Sequence, residues 1–442
     1  MALWITVLIL LLGAMFAFNH TNLIEKPENV SAALVLGFLL LAAFCVGQIL
    51  EKIKLPRISG YIIAGLAFGP YCMNFVSKAT IVDLSFINSL ALAFIAFCAG
   101  GELKSSHLSH HIKSIVNLVI SQTIIVFMGV AIVTFFLVEF IPAFADIGHS
   151  KRLVISLIFG IISVARSPSS TIAIISEAKA KGKYTDIVLC VTIVKDVVVI
   201  VLFGVIVSVS KAIISNTASI DWMFFLMLLF EIIIAIILGV FLGKGIVFLI
   251  EKVKVEFPIV IIGIGFLVIK FSHLFSSYLH ETFNVAISLE PLLICIAAGF
   301  CVQNYSNFGR SFLQKMDRVS MPVFIIFFAI SGASINIDIL RTSWIIGLVI
   351  VGVRLAMLFI ASLTAGVISK DESLIYKNYW LGFITQAGVS LGLLTEIVRR
   401  FPSIGTPIQS LLIAAITINQ LIGPIAFKWA LIKVGDAKKK QT

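Results

Sequence analysis

A lysine and an aspartate stand side by side in the stretch TIVKDVVVI, residues 192–200. Each charge is costly inside a long apolar run, because a charged side chain at the centre of a lipid bilayer costs about 2.5–3.5 kcal/mol on insertion scales. One explanation is a buried ion pair that holds helices in register. The other is an ion site formed by Lys195, Asp196 and the hydroxyl of Thr192, one helical turn earlier. Neighbours on a helix point about 100° apart, so Lys195 and Asp196 need not pair with each other.

Two arginines also lie inside apolar runs. Arg166 would either neutralise carbonyl dipoles in an interrupted helix or pair with Asp196, and we give the two alternatives equal weight. Arg354, in the stretch VGVRLAML, is expected to form a structural or gating ion pair with a carboxylate of the core.

Three further charges lie in apolar runs. Glu290, which precedes Pro291, marks a helix kink, a dimer face or part of an ion path. Glu231 and Lys270 are expected to pair with each other.

These charges are predicted to lie on transmembrane helices. The chain has 442 residues, of which 60% are hydrophobic and only 12% are charged. Apolar runs of about 20 residues recur from end to end, and as helices they cross the roughly 30 Å of bilayer hydrocarbon. They do not alternate apolar and polar residues, which excludes a closed β-barrel. The sequence predicts an all-α polytopic membrane protein with about fourteen spans, at residues 3–18, 31–50, 57–71, 83–101, 112–140, 152–178, 184–209, 221–247, 257–275, 284–303, 318–335, 343–368, 377–398 and 407–432.

The charges of the loops predict the orientation. Most loop lysines and arginines lie in the connections that follow even-numbered spans, and the chain ends in the basic stretch KVGDAKKKQT. Because cytoplasmic loops carry an excess of basic residues, we expect both termini in the cytoplasm and the protein in a bacterial inner membrane. These loops also account for the net charge of +11, so we expect lipid and no nucleic acid as the partner.

Two spans are interrupted by polar residues. The sixth contains SVARSPSST, residues 163–171, and the thirteenth contains FITQAGVSLG, residues 383–392. Each is the fourth span of a five-span unit, and the two units begin seven spans apart, at the third and the tenth span. An odd offset makes them enter the membrane from opposite sides, as an inverted repeat requires. Interrupted spans at matching positions indicate a transporter site, where free backbone groups coordinate ions.

The candidate residues group around these interruptions. The ion-site candidates are Asp196, Lys195, Thr192, Ser167, Ser169, Ser170 and Thr171, with Arg166, Arg354 and Gln386 as charge partners in the core.

Several stretches together resemble a known family. They are LPRISGYIIAGLAFGP (55–70), FIAFCAGGELK (94–104), SVARSPSSTIAI (163–174), the charged pair ending in Asp196, and VGVRLAMLF (351–359). In order and spacing they resemble those of monovalent cation:proton antiporters, in particular the second cation:proton antiporter branch, which includes sodium/proton exchangers and potassium-efflux transporters. The resemblance covers the chain from about residue 31. Members usually carry Asp, Asn or Gln before the aspartate, and Lys195 departs from that pattern.

The resemblance implies homodimers, a six-helix core crossed by two broken helices, and elevator-like alternating access. It implies that Asp196 binds the cation or the proton, that Arg354 pairs with that site, and that residues 167–171 form the first crossing. The implied division is N-terminal helices 1–52, dimerisation scaffold 53–110 and 257–340, core 111–210 and 341–434, linker helix 211–256 and basic tail 435–442.

Our leading hypothesis is electroneutral exchange of protons for sodium or potassium, with the cation held transiently by Asp196. Protonated Lys195 would neutralise Asp196 until the cation arrives, and would then lose its proton. The alternative starts from the excess of cationic side chains in the core and predicts an anion transporter, or a sensor that transports nothing.

Enzyme activity and cofactors are not expected. The chain lacks an HExxH motif. Its six cysteines form no CxxC pair and are expected to pack as small apolar residues. No polar domain follows the last span, so we expect no nucleotide-binding regulatory domain.

Overall fold

A computed structural model of the protein describes residues 2–20, 28–141, 144, 147–215, 222–253, 256–283, 289–386 and 388–437. Within these ranges the regular structure is helical, without a β-strand. The helices of the first half are α1 Ala2–His20, α2 Glu28–Lys52, α3 Arg57–Phe68, α4 Lys78–Asp83, α5 Ser85–Glu102, α6 Ser105–His110, α7 Ile112–Leu137, α8 His149–Val164, α9 Pro168–Ala178 and α10 Lys183–Ser215. Those of the second half are α11 Trp222–Val253, α12 Phe257–Phe283, α13 Pro291–Tyr305, α14 Gly309–Ala333, α15 Ile337–Ser369, α16 Ser373–Tyr376, α17 Gly388–Arg400 and α18 Pro402–Val434. Short 3-10 helices span Val138–Phe140 and Tyr379–Phe383.

The described helices match the predicted polytopic fold. Ten spans of at least 18 residues are long and apolar enough to cross a membrane, and four apolar helices are shorter. In the tenth predicted span, Leu289 and Glu290 are not helical and α13 begins at Pro291, while residues 284–288 lie outside the described residues. The all-α polytopic prediction is confirmed.

Both predicted interruptions are present, and the sequence explains where they fall. In the first, α8 ends at Val164 and α9 begins at Pro168, whose fixed φ and missing N–H suit the first position of a helix. The Ser167 hydroxyl caps α9 by accepting from the N–H of Ser170 at 3.3 Å. In the second, the 3-10 helix ends at Phe383 and α17 begins after a short irregular segment.

The helices pack in two groups. In one, α5 packs against α13 and α14, α13 packs against α11, and α14 packs against α3. In the other, α7 packs against α8 and α15, α15 packs against α18, and α10 lies along α7, α8 and α9. The two groups meet where α5 contacts α9, where α10 contacts α11, and where α3 contacts α9 and α18. The predicted assignment of these groups to a scaffold and a moving core remains a prediction.

Helices α5 and α13 approach each other unusually closely. A Cβ added to Gly100 would collide with the backbone of Ile296, and one added to Gly299 would collide with the carbonyl oxygen of Phe97. Only glycine fits at such a close approach of two backbones. Of this pair, α5 contacts α9 of the other group.

Candidate functional site

The side chain of Arg354 joins the two interruptions. Its Nε donates to the carbonyl oxygen of Ser163 at 2.8 Å. Its Nη1 donates to Ile384 O at 2.8 Å, and its Nη2 donates to Phe383 O at 3.1 Å and Ala165 O at 3.4 Å. These carbonyls end α8 and the 3-10 helix, so the buried guanidinium neutralises the negative ends of both half-helices.

The predicted ion pair between Arg354 and a core carboxylate is absent from the described residues. The five N–H donors of a guanidinium match a cluster of free carbonyl oxygens as well as they match a carboxylate. An interrupted helix exposes such carbonyls, which explains the different partner.

A pair of amides, Gln386 and Asn419, also links the two interruptions. Gln386 Nε2 donates to Ile162 O at 2.9 Å and to Ala165 O at 3.1 Å. Its Oε1 accepts from Asn419 Nδ2 at 2.8 Å, and both side chains are buried. Gln386 is thus a partner of carbonyls, and Asn419 is a site-supporting residue that sequence reasoning missed. Its signal is an amide within a largely apolar span that also holds Gln409 and Gln420.

The two interruptions also touch directly. The N–H of Ser167 donates to Thr385 O at 3.1 Å. Gly423 of α18 makes room for this contact, because a Cβ there would collide with Thr385.

Arg166 lies in the first interruption, and its side chain contacts α7 and α10. Its Nη2 donates to Gln122 Oε1 at 2.7 Å and its Nη1 donates to Thr192 Oγ1 at 3.1 Å. Its guanidinium stacks on the ring of Phe383, 3.9 Å from the centroid. Neither expected partner is found, since among the described residues Arg166 makes no ion pair with Asp196 and no hydrogen bond to a carbonyl.

Lys195 belongs to the same hydrogen-bond network, which we call the inner network and which joins Arg166, Thr192, Gln122 and Lys195. Its buried Nζ donates to Gln122 Oε1 at 3.1 Å. Gln122 Nε2 in turn donates to Ser362 Oγ of α15 at 3.3 Å. No ion pair within 4 Å joins Lys195 to Asp196 in the described part of the chain, so the expected resting pair is not found. Gln122 is a second residue that sequence reasoning missed, although it is one of two amides, with Asn117, in an apolar span.

Asp196 lies on a different face of α10 from Lys195. Its Oδ1 is buried and has no hydrogen-bond partner among the described residues. The residue lines a cavity of about 30 Å³, together with Ser167 and Ser169. The cavity is therefore large enough to hold a water molecule or a small ion.

The predicted hydroxyl cluster divides at this cavity. Ser170 and Thr171 are buried but do not line it, and Thr171 Oγ1 donates to Ser167 O at 3.1 Å. Thr192 Oγ1 donates to Val188 O at 2.7 Å and faces Arg166. Of the seven ion-site candidates, the structure therefore brings Asp196, Ser167 and Ser169 together.

The opposite side of the cavity is apolar. It is formed by α5 and α13, through Leu92, Ile95, Ala96, Ala99, Leu292 and Ile296. Every polar side chain of the lining thus comes from α9 and α10.

Helix dipoles add positive electrostatic potential at the cavity. Pro168 begins α9 and Val389 lies in the first turn of α17, and both line the cavity. The positive ends of two half-helices therefore face the Asp196 carboxylate, which balances them. Carboxylate and hydroxyl oxygens beside these ends suit a small hard cation or a proton.

The remaining charges of the apolar runs lie on α11, α12 and at the start of α13. Glu290 is the exposed N-cap residue of α13, so it stands at the start of a helix and not at a kink. Lys270 Nζ lies 5.8 Å from the ring centroid of Phe86. Its pairing with Glu231 remains a prediction.

Comparison with known proteins decides the family. The family model described as "Sodium/hydrogen exchanger, transmembrane" matches residues 39–433, which include both interruptions and α10. The chain belongs to the sodium/hydrogen exchanger family. This membership confirms the predicted cation:proton antiporter relationship, while the placement in the second branch remains a prediction.

Individual members of the sodium/hydrogen exchanger family are distant in sequence. The chain is 23% identical over 410 residues to the "Probable Na(+)/H(+) antiporter 3" of Methanocaldococcus jannaschii, covering 90% of this chain and 96% of that protein. The solved structure of the sodium proton antiporter MjNhaP1 from the same organism at pH 8 matches with a TM-score of 0.65 and 18% identity, covering 92% of this chain and 99% of that one. An electron-microscopy structure of MjNhaP1 matches with a TM-score of 0.69 and 19% identity, covering 92% and 98%. The fold is therefore shared with that antiporter.

Proposed function

We propose that the protein is a secondary-active antiporter that exchanges a monovalent cation for a proton at Asp196. The observation that carries this proposal is the buried, unpartnered Oδ1 of Asp196 in a cavity of about 30 Å³. Ser167 and Ser169 would supply further oxygens. Membership of the sodium/hydrogen exchanger family supports the assignment and makes sodium the first ion to test, with potassium as the second.

The exchange follows from competition for one carboxylate. A proton or a monovalent cation on Asp196 each cancels one negative charge, so the occupied core has the same net charge in both forms. We therefore propose an exchange of one cation for one proton that moves no net charge. Lys195 stays on Gln122 in both forms, and this simpler scheme replaces the transfer of a proton from Lys195.

The location of the cavity supports an elevator movement. The polar lining belongs to α9 and α10, whereas α5 and α13 present only apolar side chains. Residues 111–210 and 341–434 would carry the ion, and residues 53–110 and 257–340 would stay fixed as the scaffold of a homodimer. An apolar surface without hydrogen bonds to the ion lets the core slide past it.

Arg354, Gln386 and Arg166 would act on the ion site indirectly, by holding the half-helices in place. Arg354 and Gln386 saturate the carbonyls of the interruptions, and Arg166 is held by Gln122 and Thr192. These groups fix the half-helices whose positive ends face Asp196.

The anion alternative has little support. Arg166 and Lys195 are engaged in the inner network, and Arg354 is engaged by four carbonyls. None of the three lines the cavity. Among the described residues that line it, Asp196 is the charged one. A carboxylate repels an anion at this position.

Flux measurements on proteoliposomes test the proposal. An outward gradient of sodium or potassium should drive proton uptake, and Asp196→Asn should abolish it. The matched control is Asp83→Asn, an exposed aspartate on α4, which should transport normally. A clamped membrane potential should leave the flux unchanged. Proton flux that persists in Asp196→Asn, or that requires a particular anion, would contradict the proposal.

A further inference from the structure

We propose that Gln122 is a positioning residue that holds the Lys195 ammonium away from Asp196 and so keeps the cation site open. This inference rests on the proposed function, since it takes Asp196 as the cation ligand. It assigns Lys195 the part of a tethered competitor that the fold restrains.

The first step is the direction of the two side chains. Lys195 and Asp196 are consecutive on α10 and therefore point about 100° apart. Lys195 reaches Gln122 on α7 at 3.1 Å, whereas Asp196 lines the cavity beside α5 and α13. Gln122 thus contacts a different face of α10 from the one that carries the ion site.

The second step is how firmly Gln122 is oriented. Its Nε2 donates to Ser362 Oγ at 3.3 Å, so its oxygen faces the opposite way. That oxygen accepts from Arg166 Nη2 at 2.7 Å as well as from Lys195 Nζ. Arg166 is itself fixed by Thr192 and by the ring of Phe383. The amide oxygen therefore cannot turn away from Lys195 without breaking three hydrogen bonds.

The third step is what Lys195 would do without this acceptor. An ammonium has three donors, and Lys195 makes one hydrogen bond among the described residues, to Gln122. The adjacent Asp196 Oδ1 is buried and has no partner in the described chain. In a low-dielectric interior an unpaired ammonium and an unpaired carboxylate attract each other strongly. The flexible lysine stem would then bring its ammonium to the carboxylate.

The consequence is competition. An ammonium on Asp196 would occupy the position of a monovalent cation and would have to be displaced by each incoming ion. Gln122 would therefore raise cation affinity without touching the cation.

Sodium binding to the purified full-length protein tests this inference, because it needs no turnover. We expect Gln122→Leu to raise the sodium Kd about tenfold, as the loss of a hydrogen bond to a charged group predicts. The matched control is Asn117→Leu, which removes another amide hydrogen bond between α7 and α15, to Ser369 at 2.9 Å. It should leave the Kd unchanged.

A double-mutant cycle separates positioning from folding. Lys195→Gln should bind sodium at least as tightly as the parent, and adding Gln122→Leu to it should cause no further change in Kd. Ser362→Ala, which frees the amide with little change in volume, should raise the Kd in the same direction and lose this effect in the Lys195→Gln background. It serves as the test variant should Gln122→Leu fail to fold.

Three results would overturn the inference. They are parental affinity in Gln122→Leu and Ser362→Ala, an equal loss of affinity with and without Lys195, and weaker binding in Lys195→Gln. The failure of the proposed function looks different, since sodium binding would then be absent from the parent or unaffected by Asp196→Asn.

Discussion

Lys195 and Asp196 are adjacent in sequence but serve separate environments. The lysine Nζ lies 3.1 Å from Gln122 Oε1 in the interior of the core, and the aspartate lines the cavity with Ser167 and Ser169. Helix α10 thus presents the lysine ammonium on one face and the Asp196 carboxylate on another. This arrangement would let a lysine stand next to the proposed cation-binding carboxylate without filling its site.

Arg354 is expected to contribute more to stability than any surface ion pair. Arg354→Ala would leave up to four buried carbonyls without that donor, and each unsatisfied buried group costs about 1–3 kcal/mol. We expect a large fall in the Tm measured in detergent without sodium, and an intermediate value for Arg354→Lys. The control Arg152→Ala breaks a half-exposed pair with Glu139 and should change stability by about 0–1 kcal/mol. Equal Tm values for the two alanine variants would refute this role.

Glu177 links α9 and α18 to the first turn of α3. Its Oε1 accepts from the N–H of Arg57 at 2.9 Å, its Oε2 accepts from the N–H of Ile58 at 3.3 Å, and Lys428 Nζ lies 3.1 Å from Oε1. Glu177→Gln removes the charge that the helix N-terminus and the lysine both favour, at a cost of about 1–2 kcal/mol.

We expect the amides of Arg57 and Ile58 to exchange with deuterium faster in Glu177→Gln. If α9 and α18 move relative to α3, weakening this link should also change the transport rate. Glu256→Gln, which breaks an exposed pair with Lys315, is the control and should leave both readouts unchanged. Unaltered protection in Glu177→Gln would show that the link is energetically neutral.

The Ser169 hydroxyl is predicted to be an ion ligand. Ser169→Ala should raise the sodium Kd about three- to tenfold, since one hydrogen-bond-strength interaction is worth about 0.5–1.5 kcal/mol. Ser156→Ala, a buried serine of α8 that donates to Leu153 O at 2.7 Å, should leave the Kd unchanged. The same Kd in both variants would remove Ser169 from the site.

The sequence predicted the fold well because its signals are local. Apolar runs define the helices, and Pro168 with its neighbouring hydroxyls marks the first interruption. Gln386 and Gly388 mark the second. Such features act through backbone geometry within a few residues, so no knowledge of packing is needed.

The partners of the buried charges could not be predicted in the same way. Arg354 binds carbonyls, which every residue carries and which the sequence therefore does not reveal. Gln122 and Asn419 lie on α7 and α18, and they meet Lys195 and Gln386 only through the packing of these helices against the two interruptions. The charge of Lys195 suggested a pair with Asp196, but the direction of its side chain depends on Gln122 of another helix.

Proton release on sodium binding tests the central claim most directly. Titration calorimetry in buffers of different ionisation enthalpy gives the number of protons released for each sodium bound, over the pH range in which the two ions compete. We predict about one proton per sodium for the parent, because both ions share the Asp196 carboxylate, and no sodium-linked release for Asp196→Asn. Sodium binding without proton release in the parent, or undiminished release in Asp196→Asn, would contradict exchange at this residue.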